Sequence, residues 1–289
     1  MKLNHIIIGA GRSGTTSLVE YLKQHHEINF SSIKEVTYFS VDDHYKRGED
    51  YLHSFFNTNK RVNATSDTYL LMSKEAPKRI AEYNSDIKIA VILREPSART
   101  YSNYHFSVNH GYIDKSVSLI ESEKNEAKYL RENNIIDQNN YGNFEGSLYH
   151  KHLSYWLKYF KREQLFICTT NELKSNPANL FKRYFNFLGI DEIEVRELAA
   201  KHKAAGVKNK QLNKFLVNRN HWLRRLISKP LQVGVLRNMV LKSNVVDKIK
   251  ESNRQEMAYP LMTEIEKEFC NNYFKEDLQK LNEDFGVSF

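Results

Sequence analysis

The sequence predicts an α/β fold of the P-loop-like, three-layer kind: a central parallel sheet flanked by helices, followed by a helical C-terminal region. Three observations carry this. Short apolar, β-branched runs alternate with helical patterns over the first 190 residues, which argues for a parallel sheet with right-handed crossovers. A glycine-rich turn joins the first such run to a helix start. Apolar residues recur at helical spacing in the last 80 residues.

His5–Ile8 reads as the first strand, ending at Gly9, and Thr16–His25 follows as a helix with Leu18, Val19 and Leu22 on one face. Ile87–Leu93 is apolar on both faces, as a buried parallel strand must be. Gln164–Thr169 is another strand, and helical patterns occupy Pro77–Tyr83, Tyr149–Phe160 and Asn179–Leu188. Residues 111–146 are rich in Asn, Ser, Glu and Lys and form a partly helical excursion over the carboxyl edge of the sheet, where such folds bind substrates. From about 211 to 289 the pattern is helical, first through Leu212, Phe215, Leu216, Trp222, Leu223, Leu226 and Ile227. A closing helix then carries Ile265, Phe269, Tyr273 and Leu278. There is no repeat, low-complexity tract or linker, so residues 1–289 are expected to form one domain.

Composition narrows the function classes. Of 289 residues 40% are hydrophobic and 27% charged, ample for a core and without a disorder signature. No apolar run approaches a membrane span, and the N-terminal apolar run is too short for a signal peptide. Two cysteines, Cys168 and Cys270, supply neither a disulfide framework nor a Cys-based zinc site. A cytoplasmic protein is expected, with no metal ligand set. The net charge of +8 is unevenly spread: residues 201–250 carry thirteen Lys/Arg against Asp247, and the remainder is slightly acidic. That basic stretch, with Trp222-Leu223-Arg224-Arg225-Leu226-Ile227, is open to three readings. It packs on the core, lies peripherally on anionic lipid at the inner membrane surface, or grips an acidic glycan. Nucleic acid is the poorest fit, because no reading motif or aromatic platform accompanies the charge.

The chemistry is concentrated in Ile8-Gly9-Ala10-Gly11-Arg12-Ser13-Gly14-Thr15-Thr16-Ser17. Strand, glycine turn and helix start make an anion cradle in which backbone N–H groups and the helix dipole converge on a phosphate. Gly9 and Gly14 have Walker A spacing, yet Thr15 stands where that motif needs lysine, and the cation has moved to Arg12. Arg94 follows the strand ending at Leu93, where a Walker B aspartate would hold magnesium; a cation there repels the metal and attracts a second phosphate. Gly9-x-Gly11-x-x-Gly14 also fits the dinucleotide fingerprint, but no acid ends a second strand about 20 residues on.

These blocks resemble the sulfotransferases that use 3′-phosphoadenosine 5′-phosphosulfate, closest to their carbohydrate, heparan-sulfate-like branch. Gly9–Leu18 fits that family's 5′-phosphosulfate loop, and Leu93-Arg94-Glu95-Pro96-Ser97-Ala98-Arg99-Thr100-Tyr101-Ser102-Asn103-Tyr104 fits its 3′-phosphate element. Lys34-Glu35-Val36-Thr37-Tyr38-Phe39 fits a third block. The resemblance implies sulfuryl transfer from the nucleotide to a hydroxyl acceptor, a glycan or glycolipid, without a metal, leaving adenosine 3′,5′-bisphosphate. It implies that Gly11, Arg12, Ser13, Gly14, Thr15, Thr16 and Ser17 hold the 5′ end, with Arg12 neutralising the leaving group. Arg94 and Ser102 take the 3′-phosphate, joined by Lys208 or Lys210 from a late basic loop, and Arg99 supports the fold through an ion pair. Glu35 is the implied base, with His105 as the other candidate, and Ser66 and Tyr69 lie near the acceptor. A nucleotide kinase with a degenerate loop and a non-catalytic nucleotide- or polyanion-binding module are the rival readings.

Overall fold

The computed structural model describes residues 1–132, 135–196, 205–207, 252, 254–256 and 259–289. Five parallel strands form the sheet: β1 (His5–Ile7), β2 (Ile28–Phe30), β3 (Val62–Ser66), β4 (Lys88–Leu93) and β5 (Leu165–Thr169), in the order β2-β3-β1-β4-β5. β1 lies between β3 and β4, with Ile7 opposite both Ser66 and Ala90. The chain reverses its direction of travel across the sheet on either side of β1. Ligands in open α/β sheets bind at the carboxyl ends of the strands at such a point.

The alternation of the central strands explains the apolar runs. Ile6, Ile8, Ile89, Val91 and Leu93 join one core, while Ile7, Ala90 and Ile92 join the other. On the first face the strands meet Ile80, Leu153 and Trp156, from α4 (Ala76–Tyr83) and α8 (Tyr149–Trp156). The second face is covered by α1 (Thr15–Leu22) and by α10 (Pro177–Leu188), the latter through Leu180, Phe181, Tyr184 and Phe185. Two short helices, α2 (Asp42–Tyr45) and α3 (Glu49–His53), lie between β2 and β3. Pro96 at the first turn and the Glu95 carboxylate, which accepts from Ser97 N (2.9 Å) and Ala98 N (2.6 Å), start the long helix α5 (Pro96–His110) immediately after Arg94.

The excursion over 111–146 contains α6 (Leu119–Glu132) and α7 (Ile135–Tyr141). α9 is Thr170–Ser175, and the closing helix, α11, spans Glu264–Phe285. Its buried residues are Cys270, Phe274, Leu281 and Phe285; of the four residues that mark this helix in the sequence, Phe269 and Leu278 pack against the core and Ile265 and Tyr273 are exposed. Phe269, Tyr273 and Phe274 all meet the Phe144 ring, at 5.9, 5.0 and 5.9 Å between centroids. Ala205–Val207 and Arg254–Glu256 pair antiparallel as β6 and β7. The helical pattern read from Leu212 to Ile227, and the basic stretch around it, lie outside the described residues.

Candidate active site

The cradle is built at the carboxyl ends of β1 and β4. Backbone bonds continue past β1, with Ile8 N donating to Ala90 O (2.9 Å) and Ala10 N to Ile92 O (2.8 Å), so the loop leaves the sheet beside Arg94. Gly14, at φ 97°, is the left-handed residue that turns the loop into α1. Thr170, at the start of α9, locks the turn by donating its hydroxyl to Ser13 O (2.6 Å) and Leu93 O (3.1 Å).

Arg99 braces the loop from below. It is fully buried and donates from Nε to Gly11 O (3.1 Å) and from Nη1 to Asn143 O (2.8 Å). The guanidinium packs so closely on Gly146 that a Cβ there would lie 2.6 Å from its nitrogens. The expected ion pair is replaced by bonds to carbonyls, which hold a guanidinium in place while leaving its charge to be felt in the cradle above.

Arg12 lies inside the loop in the left-handed region (φ 69°), a conformation that costs a non-glycine residue of order 1 kcal/mol or more and concentrates at functional sites. Its Nε points at Ser102 Oγ (3.4 Å), its guanidinium lies over the Phe106 ring (5.0 Å), and its carbonyl accepts from Arg94 Nη1 (3.4 Å). Burial lowers the Arg12 pKa; Tyr259 offsets part of this and Arg94 adds to it. Arg12, Arg94 and Ser102 thus converge at one point, where two guanidiniums stand close together. Such an arrangement favours an anion.

Across the cleft, Glu35 is also left-handed (φ 58°). Its carboxylate accepts from Thr68 N (2.6 Å) and Thr68 Oγ1 (3.2 Å), and its backbone N–H donates to Ser66 O (2.9 Å). Lys34 joins the two sides: its Nζ donates to Thr15 Oγ1 and Thr16 Oγ1 (both 3.0 Å) and lies 3.4 Å from Glu35 Oε1. The cleft between them measures about 1540 Å³. Gly11, Arg12, Ser13, Gly14, Thr15, Thr16, Ser17, Glu35, Tyr69, Arg94 and Ser102 line it, together with Asn139 and Asn140 from α7.

Ser13 is fully buried, and Ser66 lies buried beneath the cleft. His105 is not among the lining residues. Its ring stacks on Tyr259 (4.7 Å between centroids), meets Tyr101 edge-on (4.4 Å) and has its Nε2 buried in that packet. Burial lowers its pKa against the pull of Glu266. Lys208 and Lys210 lie outside the described residues. Sequence reasoning overlooked Lys34 as a loop ligand, although it stands next to Glu35, and it gave no weight to Tyr259, which only the fold brings to Arg12.

A parallel sheet with a phosphate-type loop at its switch point, two converging arginines and a carboxylate across the cleft define an open α/β fold with a cationic cleft at the carboxyl ends of its strands. The family model described as "Sulfotransferase domain" matches residues 4–258, and the chain belongs to that family. Heparan sulfate glucosamine 3-O-sulfotransferase 5 of Mus musculus is 31% identical over 193 residues, covering 64% of this chain and 53% of that protein. Bifunctional heparan sulfate N-deacetylase/N-sulfotransferase 3 of Homo sapiens is 29% identical over 201 residues, covering 64% and 22%. The chain spans about half the length of the first of these relatives and less of the second. A sulfotransferase crystal structure from Alicyclobacillus acidocaldarius shares the fold, with a TM-score of 0.70 at 19% identity over 100% of this chain and 98% of that one.

Proposed function

We propose that the chain transfers the sulfuryl group of 3′-phosphoadenosine 5′-phosphosulfate to a hydroxyl on a carbohydrate or glycoconjugate, by in-line displacement without a metal. The observation that carries this reading is the pairing of two left-handed residues across one cleft, a cation in the loop at Arg12 and a carboxylate at Glu35. Family membership and the heparan sulfate relatives point the same way.

Sulfuryl transfer requires placement of donor and acceptor in line, and a cation where negative charge builds on the departing oxygen. The loop amides from Gly11 to Ser17 and the hydroxyls of Thr16 and Ser17 are suited to hold a 5′-phosphate at the N-terminus of α1. Arg12 would neutralise the leaving oxygen; as a guanidinium it keeps its proton and acts by charge alone. Lys34, on the hydroxyls of Thr15 and Thr16, offers a second positive charge there. Arg94 and Ser102 would take the 3′-phosphate, and Arg94 occupies the place where a kinase of this fold would carry its magnesium-binding aspartate. Glu35, half-buried at the cleft, would accept the acceptor's proton.

The test is transfer of ³⁵S from labelled donor, in EDTA, to a panel of desulfated heparan, other glycans and glycolipids. The reading expects label in at least one glycan with matching release of adenosine 3′,5′-bisphosphate. ATP consumption dependent on magnesium, with no transfer, would replace it by the kinase reading.

A further inference from the structure

Behind Glu35 lies a second carboxyl group, that of Asp67, which the transfer chemistry above does not use. It is 2% exposed. The two acids are held by consecutive amides of one turn: Thr68 N donates to Glu35 Oε2 (2.6 Å) and Tyr69 N to Asp67 Oδ1 (3.0 Å). The remaining Asp67 oxygen accepts from Ser40 Oγ (2.9 Å). Adjacent amides therefore bring adjacent carboxyls together, one facing the cleft and one sealed in the interior.

We propose that Asp67 is a positioning residue for Glu35: a sealed, neutral carboxyl that directs its proton at the Glu35 carboxyl from the neighbouring amide and keeps Glu35 aimed at the acceptor. This rests on the reading of Glu35 as the base. Two neighbouring carboxylates do not both ionise readily, and the proton settles on the member with less water. Asp67 is that member. Burial raises its pKa well above the carboxylate range, and the charge of Glu35 and a hydrogen bond with it raise it further; its bonds from Tyr69 and Ser40 oppose the rise. Lys34 lies 3.4 Å from Glu35 on the cleft side of the pair, whereas Asp67 is turned to the interior. A neutral Asp67 also leaves the outer face of Glu35 free to accept a proton, whereas an ionised one would push that carboxylate out of place.

The experiment compares wild type, Asp67→Asn and Asp67→Ala. Asparagine reproduces a neutral hydrogen-bonding group and cannot ionise. D67N is expected to keep turnover within about threefold of wild type at neutral pH and to lose the alkaline fall in kcat that ionisation of Asp67 produces. D67A is expected to lose about 100-fold in kcat, the order expected for a misplaced catalytic group, with affinity for adenosine 3′,5′-bisphosphate unchanged. A second readout needs no turnover. A carboxyl whose folded pKa is raised contributes stability at acid pH that is lost as pH climbs from the ordinary carboxylate range through the raised value. The Tm of wild type should therefore fall more steeply over that window than the Tm of D67N. Superimposable pH–Tm curves for wild type and D67N overturn the proposal, as does an unchanged alkaline limb in D67N. If wild type transfers no sulfuryl group to any acceptor, the catalytic reading fails on its own, and the pH–Tm comparison still decides the state of Asp67.

Discussion

Replacing Arg12 by alanine should cut turnover by about 10²–10³ without weakening the fold, because this guanidinium stands beside a second cation. It is half-buried, and the groups acting on it are Tyr259 and Arg94, so that in the free protein one cation sits beside another. Arg12 has no carboxylate partner among the described residues, so removing this half-buried charge relieves desolvation rather than breaking a pair. The left-handed backbone at residue 12 is unchanged by the substitution, since alanine also carries a Cβ. Loss of the stacking on Phe106 and of the long bond to Ser102 gives back roughly 1 kcal/mol. The net change in stability should therefore lie within about 1 kcal/mol of zero, or roughly 2–4 °C in Tm for a chain of this size. At the chemical step the same substitution removes the charge opposite the developing anion. Losses of this type cost about 3–4 kcal/mol, or 10²–10³ in kcat. Sulfuryl transfer at saturating donor and thermal melting of the same preparation measure both quantities. Arg12→Lys, which restores a cation, should recover most of the turnover. A Tm falling by 10 °C with activity scaling to the folded fraction would show that Arg12 anchors the loop and would refute the catalytic argument. Turnover within threefold of wild type would refute it too.

Glu35→Gln should lower kcat by about 10²–10⁴ while adenosine 3′,5′-bisphosphate binds as before; an effect confined to affinity would remove Glu35 from the base role. Arg94→Ala should weaken binding of that nucleotide by roughly 10- to 150-fold, the value of a charged hydrogen-bonding pair, with little change in Tm, as titration calorimetry would show. Arg99→Met should do the reverse of Arg12→Ala. It strands the Gly11 carbonyl, while Asn143 O keeps the Thr100 hydroxyl (3.1 Å), and should destabilise by about 2–3 kcal/mol, lowering Tm and, through the loop, nucleotide affinity. Glu126 caps Phe144 N (3.0 Å) and Glu145 N (2.6 Å), and burial raises its pKa to about 7. Its folded value exceeds its unfolded one, so about 3 kcal/mol of stability present at acid pH is lost as pH rises from the ordinary glutamate range to about 7. Glu126→Gln should flatten Tm against pH over that window.

The sheet's centre and the loop chemistry were legible because both are written locally. Ile87–Leu93 is apolar on both faces only if both faces are covered, and Gly9, Gly14 and Arg94 announce a phosphate cradle by spacing and charge alone. β2 and β3 were not legible. Ile28–Phe30 is three residues long, and Val62-Asn63-Ala64-Thr65-Ser66 is polar at three of its five positions. Two of its three polar side chains find partners that the sequence does not announce: Asn63 donates to Lys60 O (3.0 Å) and Thr65 Oγ1 meets Ser31 Oγ (2.9 Å). Periodicity cannot register such a strand. The same limit hid Asp67 and Tyr259, whose meaning depends on neighbours 32 and 247 residues away in sequence. The closing helix was legible from Phe269 and Leu278, while Ile265, which shares their spacing, is left exposed among the described residues. His105 illustrates the converse: the motif suggested a base, and the fold places the ring in an aromatic stack outside the cleft.

The central claim is that the cradle takes a sulfuryl-donor nucleotide without help from a metal, and ligand-induced stabilisation tests it most directly. In EDTA, adenosine 3′,5′-bisphosphate at 100 times its Kd should add about 2.7 kcal/mol, several degrees in Tm, with the shift abolished in Arg94→Ala. No shift with the bisphosphate, and a shift only with ATP and magnesium together, would contradict the account and make this loop a triphosphate site.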